Sequence, residues 1–272
     1  MAGKTGALMR FYVLGRLDVR DDRGGQRRIR HGKQRDVLGL LLLRRNSLVP
    51  VTGLIDTLWD VGPPSSARKN LQTYVWHLRR ALGKDDAHRL RHEPPGYLIE
   101  VGPDELDLDR FENVIGQGRR ALDAGDQVAA RGLLQTALSY WQGQPLANTG
   151  LDPRTCPQLA QLVERYLTTL EKRIQIDLRL GNGQDLIPEL RRLTIEHPLR
   201  ERLHCQLMVA LHHSGRQVEA LQVYADVDSL LRRQFGMEPG RLLRGTQRAI
   251  LTEADTLETL HELDTAFPVA VP

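Results

Sequence analysis

The chain has 272 residues, 40% of them apolar and 26% charged, with a net charge of +4 and only two cysteines, Cys156 and Cys205. Such a length suits about two domains, and such a composition excludes a disordered chain. Two cysteines make no disulfide framework and point to a reducing, cytoplasmic setting. The apolar run at 38–43 is bracketed by Arg35 and Arg44. It falls far short of the ~20 residues that a membrane helix needs, so no membrane partner is expected. The first residues hold no apolar stretch ahead of a small-residue cleavage site, so no signal peptide is expected either.

The charge is unevenly placed. Residues 1–100 carry 19 Lys and Arg against 10 Asp and Glu, and the remainder carries 19 against 24. A basic first third is suited to a polyanion, and an acidic remainder is suited to another task. Residues 10–20 are rich in β-branched and aromatic side chains and are broken at Gly15, which predicts two short strands. Asp21 to Gly25 reads as a turn, and Gln26–Arg30 as a further edge strand. Lys33–Arg45 predicts a helix burying Val37, Leu40 and Leu41, and Val49-Pro50-Val51 an extended link. Thr52 is placed to N-cap a helix running to about Trp59, which Gly62-Pro63-Pro64 ends.

The next helix, Ser65–Leu82, divides into two faces. Ala67, Leu71, Val75, Leu78 and Leu82 lie within about 80° of arc and form an apolar stripe. Lys69, Thr73, Trp76 and Arg80 lie opposite, flanked by Arg68, Gln72, Arg79 and His77. A buried stripe backed by cations, amides and hydroxyls suits a helix that enters a DNA major groove. A solvated basic face is the alternative for such a helix taken alone. Ser65 or Ser66 is the expected cap, and Gly83 the residue that ends the helix. His88–His92 and Tyr97–Val101 then read as a hairpin, so the order is strands, three helices, hairpin. In outline this is an α+β winged helix.

Beyond Leu106 the pattern is helical. The segments 120–141, 178–198 and 210–231 share a helix, a turn at Gly125, Gly183 or Gly215, and a second helix. The last two turn glycines are 32 residues apart, close to the ~34-residue tetratricopeptide period. An insertion at 143–157 breaks the rhythm after the first segment. The end of the chain, 253–272, is acidic and is expected to be partly disordered.

Several of these stretches resemble the Streptomyces antibiotic regulatory proteins in their small form. LQTYV, HLRRALG and PPGYLIEV resemble that family's DNA-binding domain. LDLDRFE, HPLRERLHCQLMVALHHSGRQVEALQVY and FGMEPG resemble the bacterial transcriptional activator domain that follows it. The resemblance spans roughly residues 9–252. It implies an OmpR-type winged helix over 9–103 and an all-α tetratricopeptide-like domain over 104–252. It also implies activation of an antibiotic biosynthetic gene cluster, in the cytoplasm at the nucleoid. The partners implied are double-stranded DNA carrying direct repeats, RNA polymerase with its principal sigma factor, and a second copy of the chain on DNA.

Carried onto this chain, the OmpR-type pattern sets Gln72, Thr73 and His77 toward base edges. Arg68, Lys69, Trp76, Arg79 and Arg80 then face phosphates. Tyr74 is either core or a phosphate contact through its hydroxyl. Arg89, Arg91 and His92 are candidates for the wing, with Arg91 preferred. Glu93 departs from the family pattern, which often has a basic residue before Pro-Pro-Gly-Tyr.

Other chemistries are set aside. Gly3-Lys4-Thr5 lacks the upstream glycine and strand of a phosphate-binding loop. His204, Cys205, His212 and His213 lack ligand spacing for a metal. Cys156 beside Pro157 has no neighbouring base. No catalytic residues, cofactor or enzyme activity are expected. The alternatives to a DNA-binding activator are an interaction adaptor that no longer reads DNA and a helical domain that senses a ligand.

Overall fold

A computed structural model describes residues 9–59, 62–254 and 256. Gly3-Lys4-Thr5 and nearly all of the acidic tail at 253–272 lie outside the described residues. The first part of the chain holds β1 (Arg10–Tyr12), β2 (Asp18–Arg20), α1 (Lys33–Leu43), β3 (Val49–Pro50), α2 (Val51–Leu58) and α3 (Ala67–Leu82). A 3₁₀ turn (Ala87–Arg89), β4 (Leu90–Glu93) and β5 (Gly96–Ile99) follow. The rest is helical: α4 (Asp107–Asp123), α5 (Gln127–Ser139), α6 (Pro157–Arg179), α7 (Gly183–Glu196), α8 (Glu201–His213), α9 (Gln217–Phe235) and α10 (Arg241–Leu251). Two compact units divide within α6, between Thr169 and Leu170.

In the first unit β1 and β2 pair antiparallel, with Phe11 opposite Val19. α1 is buried almost all round, including Val37, Leu38 and Leu40 to Leu43, because elements pack on several of its sides. The order of the second sheet is β3-β5-β4. Gly96 is required there, since a Cβ would lie 2.1 Å from the Val49 carbonyl oxygen. Asn46 clamps this hairpin to the end of α1: its side chain donates to the Val101 carbonyl and accepts from the Val101 N–H.

Three local expectations are corrected. Gln26–Arg30 forms no strand; an isolated bridge joins Arg20 to Gln26, and Arg27 N–H donates to the Val19 carbonyl. Ile29 is the one buried hydrophobic side chain in that stretch, too little to hold a ladder against the core. α2 begins at Val51 rather than after a Thr52 cap, and the Val51 N–H donates to Pro95 O in the hairpin turn. Ser66 stands at the N-cap of α3 without a side-chain cap bond, its Oγ instead accepting from the Asn70 amide at 3.1 Å.

The helical part repeats a turn. Gly125, Gly181 and Gly215 adopt φ of 79°, 84° and 73°, in the left-handed region where glycine carries no Cβ penalty. Each is followed two residues later by the start of a helix, at Gln127, Gly183 and Gln217. Gly183, expected in the turn, is therefore the first residue of α7. The turn glycine is Gly181, 34 residues before Gly215 and at the tetratricopeptide period.

α4 and α5 share the core of the first unit. The buried cluster that holds Phe11, Val37, Leu71 and Leu78 also holds Leu106, Phe111, Ala137 and Leu162. The Phe11 N–H donates to the Glu105 carbonyl, and Phe111 meets the Trp141 ring edge-to-face at 5.5 Å. The insertion after α5 laces the connection between β1 and β2. Gln142, Leu146 and Ala147 donate backbone N–H groups to the carbonyls of Leu14, Val13 and Gly15. Asn148 pairs with both backbone groups of Leu17, and the Gly150 N–H donates to Asp36.

In the second unit α8 is the central helix, buried from Leu203 to Leu211, and it packs against α7, α9 and α10. Buried charges there are paired: Arg173 with Asp177 and Glu189, and Glu171 with Arg200. Such pairs are costly to break one-sidedly, since the remaining charge stays buried without compensation.

Candidate nucleic-acid interface

α3 has the two faces that its sequence predicts. Ala67, Leu71, Val75, Leu78 and Leu82 are its buried residues. Against them stand exposed Arg68, Lys69, Gln72, Thr73, Trp76 and Arg80. Tyr74, His77 and Arg79 are half-buried along the flanks. α3 packs against both α1 and α2, which anchors its apolar side and leaves the polar side outward.

The outward side chains differ in what they can offer. Thr73 donates its hydroxyl to the Lys69 carbonyl at 3.1 Å. It is left with a methyl group and hydroxyl lone pairs to present. Gln72 presents a donor and an acceptor on one amide. Trp76 is 51% exposed, an unusual state for so large an apolar ring. The Arg80 guanidinium lies 4.8 Å from its centroid, and the His77 ring meets its edge at 4.8 Å. Arg68, Lys69 and Arg80 form no ion pair among the described residues, so their charge faces solvent uncompensated.

The remaining arginines near α3 are bound to the scaffold. Arg79 donates Nε to the Leu90 carbonyl at 2.9 Å and so ties α3 to the start of the hairpin. Arg89 lies in the 3₁₀ turn ahead of the hairpin, with its side chain only 15% exposed. It is held by Asp86 at 2.8 Å and by both oxygens of Glu105. Arg91 and His92 are on β4, and His92 packs on the Tyr97 ring at 4.9 Å. Burial raises the Tyr97 pKa. Arg91 is half-exposed but meets Glu93 at 3.0 Å and Glu100 at 2.9 Å. The sequence-level departure at Glu93 thus has a structural counterpart, since the hairpin cation is neutralised by its own sheet.

The sequence reading does not single out Asn46 or Asp107, although Asn46 holds the end of the hairpin and Asp107 holds the connection between β1 and β2. Asp107 opens α4 and accepts from Val13 N–H and Leu14 N–H at 2.9–3.0 Å. Burial nevertheless raises its pKa to about 6. No local periodicity marks either residue, because both partners are distant in the chain. The cysteines and His204 offer no reactive group. Burial pushes the Cys205 thiol up to about 12, raises that of Cys156 and lowers the His204 pKa.

A family model described as the bacterial transcriptional activator domain matches residues 106–251. The chain is 39% identical over 229 residues to the regulatory protein DnrI of Streptomyces peucetius, covering 80% of this chain and 84% of that one. It is 39% identical over 255 residues to the regulatory protein AfsR of Streptomyces griseus, covering 93% of this chain and 26% of AfsR. Among solved structures, Mycobacterium tuberculosis EmbR in complex with a low-affinity phosphopeptide superposes with a TM-score of 0.83 at 33% identity. That match covers 95% of this chain and 69% of EmbR. These relatives are regulators rather than enzymes, and the class is that of bacterial transcriptional activators. Within that class the chain belongs to the Streptomyces antibiotic regulatory protein family.

Proposed function

We propose that residues 9–103 are an OmpR-type winged helix that reads duplex DNA with α3, and that residues 104–252 carry the activating function. Two copies bind direct repeats upstream of a biosynthetic promoter and help RNA polymerase and its principal sigma factor to engage it. The observation that carries this reading is the outward face of α3, with three unpaired cations around Gln72, Thr73 and Trp76. Gln72 has the geometry to pair with adenine, and the Thr73 methyl to meet a thymine methyl. Lys69, Arg68 and Arg80 serve the phosphates and fix register without reading sequence. Tyr74 and His77 line the edges of this face. Arg79 contributes by holding the hairpin against α3, and Arg91 and His92 supply the wing.

Binding of full-length protein to a promoter fragment from its own gene neighbourhood tests this at about 150 mM KCl. The variant pair R68A/K69A is expected to weaken binding about 10–100-fold on every sequence and to lower the salt slope by about two. Q72A and T73S are expected to change which bases are preferred, at about 1–3 kcal/mol per altered contact. Unchanged binding in R68A/K69A removes α3 as the reading helix. An absence of any footprint, with a partner protein still captured, favours the adaptor reading.

A further inference from the structure

A second feature of the first unit is not used by the DNA-reading surface. The strands β1 and β2, the stretch from Gln26 to His31, and the start of α1 line a cleft of ≈ 790 Å³ that opens to solvent at Arg16, Arg28 and Arg30. Its cations are Arg16, Arg20, Arg27, Arg28 and Arg30, joined by His31 and by Arg35 from α1. None of them lies on the outward face of α3. Two carboxylates also line the cavity, and both are already engaged. Asp18 holds Gln26 and Arg20 at 2.7 and 2.8 Å. Asp107 accepts from the backbone N–H groups of Val13 and Leu14.

The cations are not balanced in the same way. Arg16, Arg28 and Arg30 form no ion pair among the described residues. Arg27 reaches Asp21 at 3.6 Å through Nη2, while its Nε is buried without a hydrogen-bond partner. A buried donor without an acceptor costs about 1–3 kcal/mol in general, and an incoming acceptor would relieve it. The rest of the wall mixes the nearly fully buried Leu14, Leu17, Val19 and Ile29 with the polar Gln26, Gln142 and Asn148, and the Arg20 guanidinium lies 5.2 Å from the Tyr12 ring centroid.

We propose that this cavity binds a small organic phosphate. Guanidinium groups match phosphate oxygens two at a time, which makes arginine the residue suited to such a group. A cavity of this size fits a ligand of nucleotide dimensions, and the Gln26, Gln142 and Asn148 amides beside the cations offer hydrogen bonds to the body that carries the phosphate. Its concave form sets it apart from the exposed cationic face of α3. Occupation would be felt at α3, because a Cβ on Gly83, at the end of that helix, would lie only 3.5 Å from Arg27 Nη1.

The test uses the full-length chain, with ADP and pyrophosphate as probes, at about 150 mM KCl so that diffuse attraction is screened. Thermal midpoint and titration calorimetry are read for the wild type, R28E/R30E and K69E. Wild type and K69E are expected to bind ADP alike, with a midpoint raised by several degrees at saturating ADP. R28E/R30E is expected to lose at least about 10-fold in affinity. Pyrophosphate binding as tightly as ADP assigns the site to the phosphate group alone, and weaker binding assigns part of it to the organic body; both support the site. Neither probe binding at about 5 mM overturns the proposal. Equal losses in K69E and R28E/R30E overturn it as well, since that is unspecific surface charge. R28E/R30E that binds ADP normally but DNA weakly makes the cavity a backbone contact and also overturns it. Because ADP binding is measured without DNA, failure here leaves the reading of α3 standing.

Discussion

Asp107 joins the start of α4 to the backbone of Val13 and Leu14, and burial raises its pKa from 3.8 to about 6. A carboxyl whose pKa rises on folding binds its proton more tightly in the folded state. Its contribution is therefore full below about pH 4 and is lost as the pH rises through 6. In D107N an amide oxygen in the place of Oδ2 still accepts from both N–H groups and does not titrate. Urea unfolding of wild type and D107N from pH 4 to pH 7 is expected to show the difference moving by about 2–3 kcal/mol against the wild type. A difference independent of pH would separate Asp107 from the acid response.

Glu93 sets a second prediction at this scale. It shares Arg91 with Glu100 in a half-exposed cluster, and such exposed pairs are worth at most about 1 kcal/mol. E93Q should leave the thermal midpoint nearly unchanged. It removes a negative charge from the hairpin beside the proposed DNA surface and leaves Arg91 with Glu100 as its one remaining carboxylate partner among the described residues. Affinity for a promoter fragment is expected to rise about 2–5-fold, with a steeper dependence on salt. A loss of affinity would show that Glu93 itself takes part in binding.

At the scale of elements, α3 was the most legible part of the chain. Its five stripe residues are the five that the structure buries, because a helix facing one core must repeat at 3–4 spacing. Gln26–Arg30 differs from the expected strand because its three arginines surround a single buried residue, Ile29. The arginines line a cleft instead, and nothing in the local pattern carries that information. Arg79 and Arg89 look as free as Lys69 in the sequence. Only the fold shows that Leu90 and Glu105 take them.

The hairpin depends on Gly96 for the approach of β3 to β5. G96A places a Cβ where the Val49 carbonyl oxygen stands, and the two strands must separate. The variant is expected to lose about 2–4 kcal/mol in chemical unfolding, with weaker DNA binding because Arg79 loses its hold on Leu90. A fully stable G96A would mean that β3 contributes little to the hairpin's position.

At the scale of the whole molecule, the sequence suggests a boundary near 103, and the family model begins at 106. Packing follows another division, with the first compact unit running to Thr169. Composition and charge marked where the task changes. They carried no sign of the bonds from Gln142, Leu146 and Asn148 to Leu14, Val13 and Leu17, which join segments about 130 residues apart. A fragment ending at residue 103 takes Glu105 and Leu106 from Phe11 and the Leu146 N–H from the Val13 carbonyl, and removes Leu106, Phe111 and Ala137 from the shared core. It is expected to give poorly dispersed amide spectra and no cooperative melt, whereas a fragment ending at 169 melts cooperatively. Cooperative melting of the shorter fragment would show that its own core suffices.

The lacing by Gln142 to Gly150 also orders events in time. A ribosome releases β1 and β2 first, yet the Val13 and Gly15 carbonyls and both backbone groups of Leu17, in the connection between those strands, find their partners only when residues 146–148 emerge. More than half of the polypeptide must therefore be made before that connection is fixed. A nascent chain still tethered near its own gene would carry the proposed DNA reader unfinished, and a message truncated early would yield a product without it.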